Sequence, residues 1–421
     1  MADAHTVSEQ IYRQLVAHTA GDPPAMRSWT GEMWGPTDAA TTIVLRHPGS
    51  LRATLFPPSD LTAGEAYVFD DIDIEGEMFG LLQWAAQLDE LRSSPRAVSN
   101  LVRLLRRLPN ESRRRNATRP QRAGRLHSRR RDSDAVRYHY DTGNDFFSLF
   151  LDPLMVYSCA YFLNQDDPLN VAQKRKLDMI CRKMQLRPGQ RLLDVGCGWG
   201  ALARHAAANY GVEVLGITLS PEQAAEARLR NHIEGLGDRV TIRVQDYRDV
   251  KGVFDAVSSV GMFEHVGSKM LETYFDKLHS LLTRDGVLLN HAITNRTRPR
   301  RLERKKPSFV NTYVFPDGEL LPIEESVRVA EDAGFEARDI ESLRKNYAIT
   351  LRHWVTNLES NHQKAVEAAN EATYRIWRMY MAGSVTAFEL ASISVYQAVY
   401  TKRDRPWTFG RRWATAADDN T

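Results

Sequence analysis

The 421-residue sequence predicts an α/β protein, a doubly wound domain with a mostly parallel sheet, preceded by a small N-terminal α/β or α+β domain. Three observations carry that expectation. From about residue 133, short apolar runs recur: RLLDV (191–195), VEVLGIT (212–218), VTIRV (240–244), DAVSSV (255–260) and VLLNHAI (287–293). Between the first three lie ALARHAAANY and PEQAAEARLRNHIEGL, whose apolar residues recur at helical spacing. A glycine cluster closes the first run. Strands separated by helices imply right-handed crossovers and a sheet covered on both faces, and ISVYQAVYTK (393–402) suits the sheet edge. The arrangement is Rossmann-like.

Before this domain, residues 1–102 form a unit of their own. TTIVLRH, a PGS turn and LRATLF predict a hairpin, and LTAGEAYVFDDIDIEGEMFGLLQWAAQLDEL predicts a helix pair. Residues 103–132 read as a basic linker broken by Pro109 and Pro120, and residues 133–421 as the catalytic domain. Between Arg103 and Arg131 there are twelve arginines against one acid, Glu111, a local charge of +11. Removing that run from a chain of net charge +3 leaves −8, so the protein is mildly acidic with one strongly basic segment. Such a run attracts polyanions, whether phospholipid headgroups or nucleic acid. No zinc knuckle, aromatic RNA-binding strand or helix-turn-helix spacing accompanies it, and nucleic acid is not the expected partner. Hydrophobic content of 43% and charged content of 26% exclude fibrous and wholly disordered classes. The three cysteines, Cys159, Cys181 and Cys197, are too widely spaced for a disulfide or zinc framework. No metal site is expected, and the expected compartment is the reducing cytosol.

The candidate cofactor loop is Leu193-Asp194-Val195-Gly196-Cys197-Gly198-Trp199-Gly200. Glycines at a strand-to-helix turn let the backbone approach a ligand and open the helix N-terminus toward it. Asp194 would repel a pyrophosphate but can accept hydrogen bonds from an amino-acid end, which points to S-adenosylmethionine over a dinucleotide. The tip of the second strand, Gly216-Ile217-Thr218-Leu219-Ser220-Pro221-Glu222-Gln223, lacks the acid that usually holds ribose hydroxyls. Thr218 and Gln223 are the neutral candidates, with helix capping an equal reading for Ser220. After the third strand, Gln245, Asp246 and Tyr247 offer an acid for the adenine amine and a ring to cover the base.

Seven blocks occur in order: HYDTGNDFF (139–147), LDPLMVYSCAYF (151–162), LLDVGCGWG (192–200), GITLSPEQ (216–223), QDYRDV (245–250), SVGMFEHVG (259–267) and YVFPDGELLP (313–322). Together they resemble the cyclopropane-fatty-acyl-phospholipid synthase family over roughly residues 133–402. The N-terminal region and basic linker look like the longer bacterial members. The resemblance implies a class I methyltransferase fold with a seven-stranded sheet. It also implies transfer of a methylene unit from S-adenosylmethionine to the cis double bond of an acyl chain within a phospholipid, which closes a cyclopropane ring. In the family a bound bicarbonate ion takes the departing proton. The matching positions here are Cys159, Glu264, His291, Ile293 and Tyr347, with Tyr157 and Ser158 carried over as cofactor contacts; Gly196, Gly198 and Gly200 belong to the cofactor loop. Read from the chain alone, Glu264 and His291 follow the fourth and fifth strands, at the edge where an open α/β sheet places its ligands.

Two departures stand out. Some members carry a cysteine in the late helix where MAGSVTAF here has Ser384, and the basic segment NRTRPRRLERKKPSF (295–309) flanks the expected acyl entrance. The resemblance further implies a homodimer and a cytoplasmic enzyme peripherally associated with the inner face of the membrane, docked through residues 103–131. An alternative outcome keeps the same methyl transfer and cation but yields a methylene-branched chain, a precursor of 10-methyl fatty acids. A methyltransferase of a soluble amine or of RNA is a further alternative, against which YSCAYF and the missing strand-two acid speak.

Overall fold

The computed structural model describes residues 2–88, 91–113, 128–140, 142–296 and 307–403, and the chain divides into two units. The first unit joins residues 1–121, 303–316 and 358–386. Its four strands, β1 (Ala25–Arg27), β2 (Met33–Trp34), β3 (Thr41–Leu45) and β4 (Ile72–Gly76), lie in the order β2-β1-β3-β4, with β1 parallel to β3 and the other pairs antiparallel. The expected hairpin does not form. LRATL lies in the helix Ser50–Leu55 and Phe56 ends it; the Ser50 hydroxyl accepts from the amides of Arg46 and His47 and turns the chain out of β3. The expected helix pair has a strand inside it: helix Asp60–Val68, then β4, then helix Met78–Gln87.

The contiguous block 133–421 expected from the sequence is interrupted, since two of its segments pack into the first unit. Arg375 donates to the Tyr67 carbonyl at 2.9 Å, and Arg378 donates to the Tyr67 hydroxyl at 3.0 Å and the Gly76 carbonyl at 3.1 Å. The Phe309 amide donates to Asp60 and the Tyr313 hydroxyl to buried Glu65. A Cβ on Gly64 would fall 2.2 Å from the Phe309 ring, so only glycine permits that approach. The expected linker is helical at both ends: Ser94 caps and Pro95 opens the helix Pro95–Arg107, and Arg129–Tyr140 is a second helix. Residues 114–127 of the basic run, and 297–306 of the segment 295–309, lie outside the described residues.

The second unit joins residues 122–302, 317–357 and 387–421. Its strands are β5 (Arg191–Val195), β6 (Glu213–Thr218), β7 (Val240–Val244), β8 (Phe254–Val260), β9 (Leu282–Asn295), β10 (Phe335–Ser342) and β11 (Ile393–Lys402). They form one seven-stranded sheet in the order β10-β11-β9-β8-β5-β6-β7. The block from β7 to β9 is parallel, and β11 runs antiparallel to both of its neighbours, β9 and β10. This is the predicted mostly parallel, Rossmann-like sheet. Alternate residues of β5 feed opposite cores: Leu192 joins Leu177, Ile180, Leu202 and Ala206, while Leu193 and Val195 join Tyr274, Phe275 and Leu278. Burial on both faces explains why these strands read as unbroken apolar runs. Strand order reverses between β5 and β8, which opens a crevice at their carboxyl ends. Among the described residues no helix is long and apolar enough to cross a membrane.

Candidate active site

At that crevice the second unit contains a cavity of about 160 Å³. Its floor is the loop after β5. The amides of Gly196 and Cys197 both donate to the Ile217 carbonyl at 2.9 Å, which folds the loop against the end of β6. Gly196 has φ +79°, and a Cβ there would sit 3.0 Å from Met262. Gly198, at φ +54°, has open space beside it. Gly200 is not part of the wall; in the left-handed conformation it caps the helix Ala201–Tyr210. Of the residues expected to hold a cofactor, Tyr157, Ser158, Asp194, Gly196, Gly198, Thr218, Gln223, Gln245, Asp246 and Tyr247 all line the cavity.

Their hydrogen bonds define what each can present. The Thr218 hydroxyl donates to Gln223 Oε1 at 2.8 Å and accepts from the Ser220 amide, so Thr218 orients Gln223 and leaves its NH2 group as the donor. Ser220 caps the helix Pro221–Ile233 by accepting from the Gln223 amide. Burial alone would raise Asp246, but Arg248 donates to both its carboxylate oxygens, at 2.8 and 2.6 Å, and holds it below the usual range. Arg248 also reaches Asp132 at 3.1 Å, on the helix Arg129–Tyr140, whose Asp132, Val136 and Tyr140 wall the cavity. Arg129 and Arg131 of the same helix pair with Asp249 and Asp317.

Asp194 is fully buried and accepts from the Ser258 hydroxyl at 2.8 Å; desolvation pushes it up to about 6, against that hydrogen bond and the charge of Lys176. Opposite stands an aromatic wall that sequence reasoning did not single out. Tyr140 and Trp199 meet edge to face at 5.7 Å, and the Trp199 ring nitrogen donates to Asn144. Both rings sit inside blocks already quoted, so their type and position were legible and their partnership was not. These groups suit S-adenosylmethionine. A buried carboxylate matches its ammonium, electron-rich rings match a sulfonium, positive-φ glycines admit its backbone-like end, and Asp246 with Tyr247 suits a purine.

Lys176 was missed as well. It lies on the helix Leu169–Lys183 and is 1% exposed, with its ammonium donating to the Ser158 hydroxyl at 2.7 Å. Burial pulls it down to about 8 against the opposing charges of Asp152 and Asp194. A lysine on the apolar face of a helix is the signal that was available, because lysines are almost never fully buried without a partner.

The five residues expected to hold an anion do not line this cavity; hydrogen bonds and strand pairing link them instead. Cys159 Sγ lies 3.2 Å from the Ala160 carbonyl and 3.7 Å from that of Leu343, and the Tyr347 amide donates to the same Leu343 carbonyl. The Leu343 amide donates to Val395, which pairs with Ile293 across β11 and β9. The Ile293 amide donates to Glu264 Oε1 at 2.7 Å. His291 lies within β9, two residues before Ile293, rather than after the strand as expected. Burial pushes Glu264 up to about 7, drives the Cys159 thiol far above its usual range, and carries His291 well below its own, the last assisted by the charges of Lys176 and Lys183. Glu264 Oε2 and His291 Nε2 are buried and make no hydrogen bond to any described residue. Two such atoms, one on a carboxyl that is half protonated near neutrality, fit a small oxyanion. Ser384 lies in the first unit, with its hydroxyl bonded to the Tyr380 carbonyl one helical turn back.

Comparison with known proteins bears on the family and the fold. A family model described as mycolic acid cyclopropane synthetase matches residues 127–398. A probable fatty acid methyltransferase of Pseudomonas putida is 39% identical over 406 residues, 92% of this chain and 97% of the relative. A probable fatty acid methyltransferase of Mycobacterium tuberculosis is 37% identical over 94% of this chain and 96% of its own. The cyclopropane-fatty-acyl-phospholipid synthase of Escherichia coli is 39% identical over 66% of this chain and 70% of its own. Among solved structures, mycolic acid cyclopropane synthase CmaA1 complexed with SAH and CTAB superposes with a TM-score of 0.61 at 35% identity, covering 64% of this chain and 98% of that one.

Proposed function

The chain belongs to the mycolic acid cyclopropane synthetase family of S-adenosylmethionine-dependent methyltransferases, and from that premise we propose that it converts the cis double bond of unsaturated acyl chains in phospholipids to a cyclopropane ring, with bicarbonate as base. The observation that carries the proposal is the pairing of the β5–β8 cavity with a dehydrated set of groups on and around β9. S-adenosylmethionine supplies the electrophilic methyl group, with Asp194 and the Tyr140–Trp199 wall gripping its charged end. An alkene is a poor nucleophile, and the cation formed on methylation would be trapped by water. The chain's contribution is therefore alignment and dryness. Glu264, Cys159, His291, Tyr347 and the Ile293 backbone would hold bicarbonate, which would supply the proton acceptor. Glu264, neutral below about pH 7, contributes without repelling that anion.

The +11 run of residues 103–131 supports docking on an anionic membrane surface, worth about 1 kcal/mol for each basic residue near it. Reversing six of its arginines is expected to abolish co-sedimentation with anionic vesicles and leave cofactor affinity unchanged. Unaltered sedimentation would remove the run from membrane binding.

One observation favours the second outcome. Two relatives that match over more than nine-tenths of this chain are named for fatty acid methylation, not ring closure. The same cation would then lose a different proton after a hydride shift and leave a methylene branch. Product analysis decides between the two. The protein is incubated with S-adenosylmethionine and vesicles of cis-monounsaturated phospholipid, and the released acyl chains are examined by mass spectrometry and proton NMR. A one-carbon gain with high-field ring protons establishes the cyclopropane, and the same gain with exomethylene protons establishes the branch. No mass gain overturns both.

A further inference from the structure

The helix Leu169–Lys183 buries two lysines two turns apart on one face: Lys176, which reaches Ser158, and Lys183. Lys183 is 1% exposed. Its ammonium donates to Gln397 Oε1 at 2.8 Å and to Glu341, with Asp339 at 3.8 Å. Both carboxylates come from β10 and Gln397 comes from β11, so the contact ties three separate elements together. Glu341 is further fixed by the Tyr161 hydroxyl.

An ammonium has three donors and no acceptor, so the Gln397 atom facing it is the oxygen. That leaves the Gln397 NH2 group facing His291 Nδ1, at 3.1 Å. An amide nitrogen only donates, so Nδ1 must accept and carries no proton. The single proton of the neutral imidazole is therefore on Nε2, the buried ring atom that makes no hydrogen bond to a described residue. A second proton would have to enter at Nδ1, where it would meet the Gln397 NH2 group head-on, within reach of two buried lysine charges.

We propose that Lys183 and Gln397 are positioning residues that fix His291 as the Nε2–H tautomer, so that its imidazole serves the bound anion only as a hydrogen-bond donor. The role of that anion rests on the function proposed above; the tautomer does not. Tyr161, Glu341, Lys183, Gln397 and His291 then form one chain, buried from Lys183 onward, in which each donor direction is set by the group behind it. A base at His291 would compete with bicarbonate for the proton, and this relay removes that competitor.

The test uses the full chain labelled with 15N-histidine. The His291 resonances are assigned by their loss in His291→Gln, and the protonated ring nitrogen is read from long-range proton–nitrogen correlations. The expected result is a proton on Nε2 and none on Nδ1, unchanged from pH 6 to pH 8. In Gln397→Glu the carboxylate still accepts from Lys183 but can only accept at Nδ1, so the proton should move to Nδ1. The bicarbonate concentration giving half-maximal turnover should then rise about 10- to 100-fold, the cost of losing one hydrogen bond to a charged group. Lys183→Arg keeps a donor-only cation and should keep the wild-type tautomer. Wild-type His291 protonated on Nδ1 overturns the proposal whether or not any variant folds, and so does a folded Gln397→Glu protein whose tautomer is unchanged. Turnover insensitive to bicarbonate, with the Nε2–H tautomer observed, would sink the anion's role and leave the relay standing.

Discussion

Along the β5–β8 edge of the sheet, the cavity is shaped by backbone: two amides on one carbonyl, glycines at positive φ and a capped helix. Around β9 the work falls to side chains drawn from positions 159, 264, 291, 347 and 397, joined through buried hydrogen bonds. The first region is shaped for a large ligand, and its buried carboxylate, Asp194, has a hydroxyl and an ammonium that oppose the desolvation raising it to about 6. In the second, burial keeps a thiol and an imidazole neutral and raises the acid to about 7. On the function proposed above, binding and proton handling fall to regions whose stabilising forces differ, and substitutions should separate them.

The largest separation is expected from Glu264→Gln, which keeps the acceptor for the Ile293 amide and removes the titrating proton. Turnover should fall about 10²- to 10⁴-fold, the range of lost acid–base assistance, with cofactor affinity by calorimetry unchanged. A parallel loss of affinity would erase the division between the two regions. The same variant should gain stability in alkali. Glu264 has a folded pKa of about 7 against 4.5 in the open chain, so between those values the folded state keeps a proton that the unfolded state sheds. Its contribution to stability therefore falls as pH rises through that window, by about 3 kcal/mol once pH exceeds 7. Urea denaturation at pH 8 should find Glu264→Gln the more stable protein, with the gap closing toward pH 5. An equal gap at both pH values would mean that the carboxyl is not held neutral.

Asp194→Asn tests the other region. Losing a charge-assisted hydrogen bond should weaken cofactor binding roughly 10- to 100-fold and leave turnover at saturating cofactor nearly intact. Arg248→Met should do least, since its guanidinium is already taken up by Asp246 and Asp132. A change of about 1 kcal/mol or less in cofactor affinity is expected, and a tenfold larger Kd would place Arg248 within the grip itself.

The same contrast explains what the sequence disclosed. A strand covered on both faces such as β5, buried from Leu192 to Val195, announces itself by its apolar core, and a glycine loop has few other uses at a strand's end. LRATLF misled because so short a run suits either a strand or a short helix, and the bonds from the Arg46 and His47 amides to the Ser50 hydroxyl turn the chain there. β10, FEARDIES, escaped notice because an edge strand keeps charges that mask its alternation. Family blocks pointed to Cys159, Glu264, His291, Ile293 and Tyr347 one at a time. Lys183 and Gln397 stand 214 residues apart in no shared block, and only the sheet brings them together.

β11 lies between β9 and β10, although it is made last of the three. On a ribosome, β9 would wait with its edge open until the chain had grown past Lys402, and Gln397 would reach His291 only then. Translation is vectorial and slow beside the local closure of helices and hairpins. The cofactor cavity, whose lining ends at Met270, is complete in sequence some 130 residues before β11 emerges. A nascent chain would thus have the whole wall of its methyl-donor cavity in hand well before it owned the apparatus for disposing of the proton.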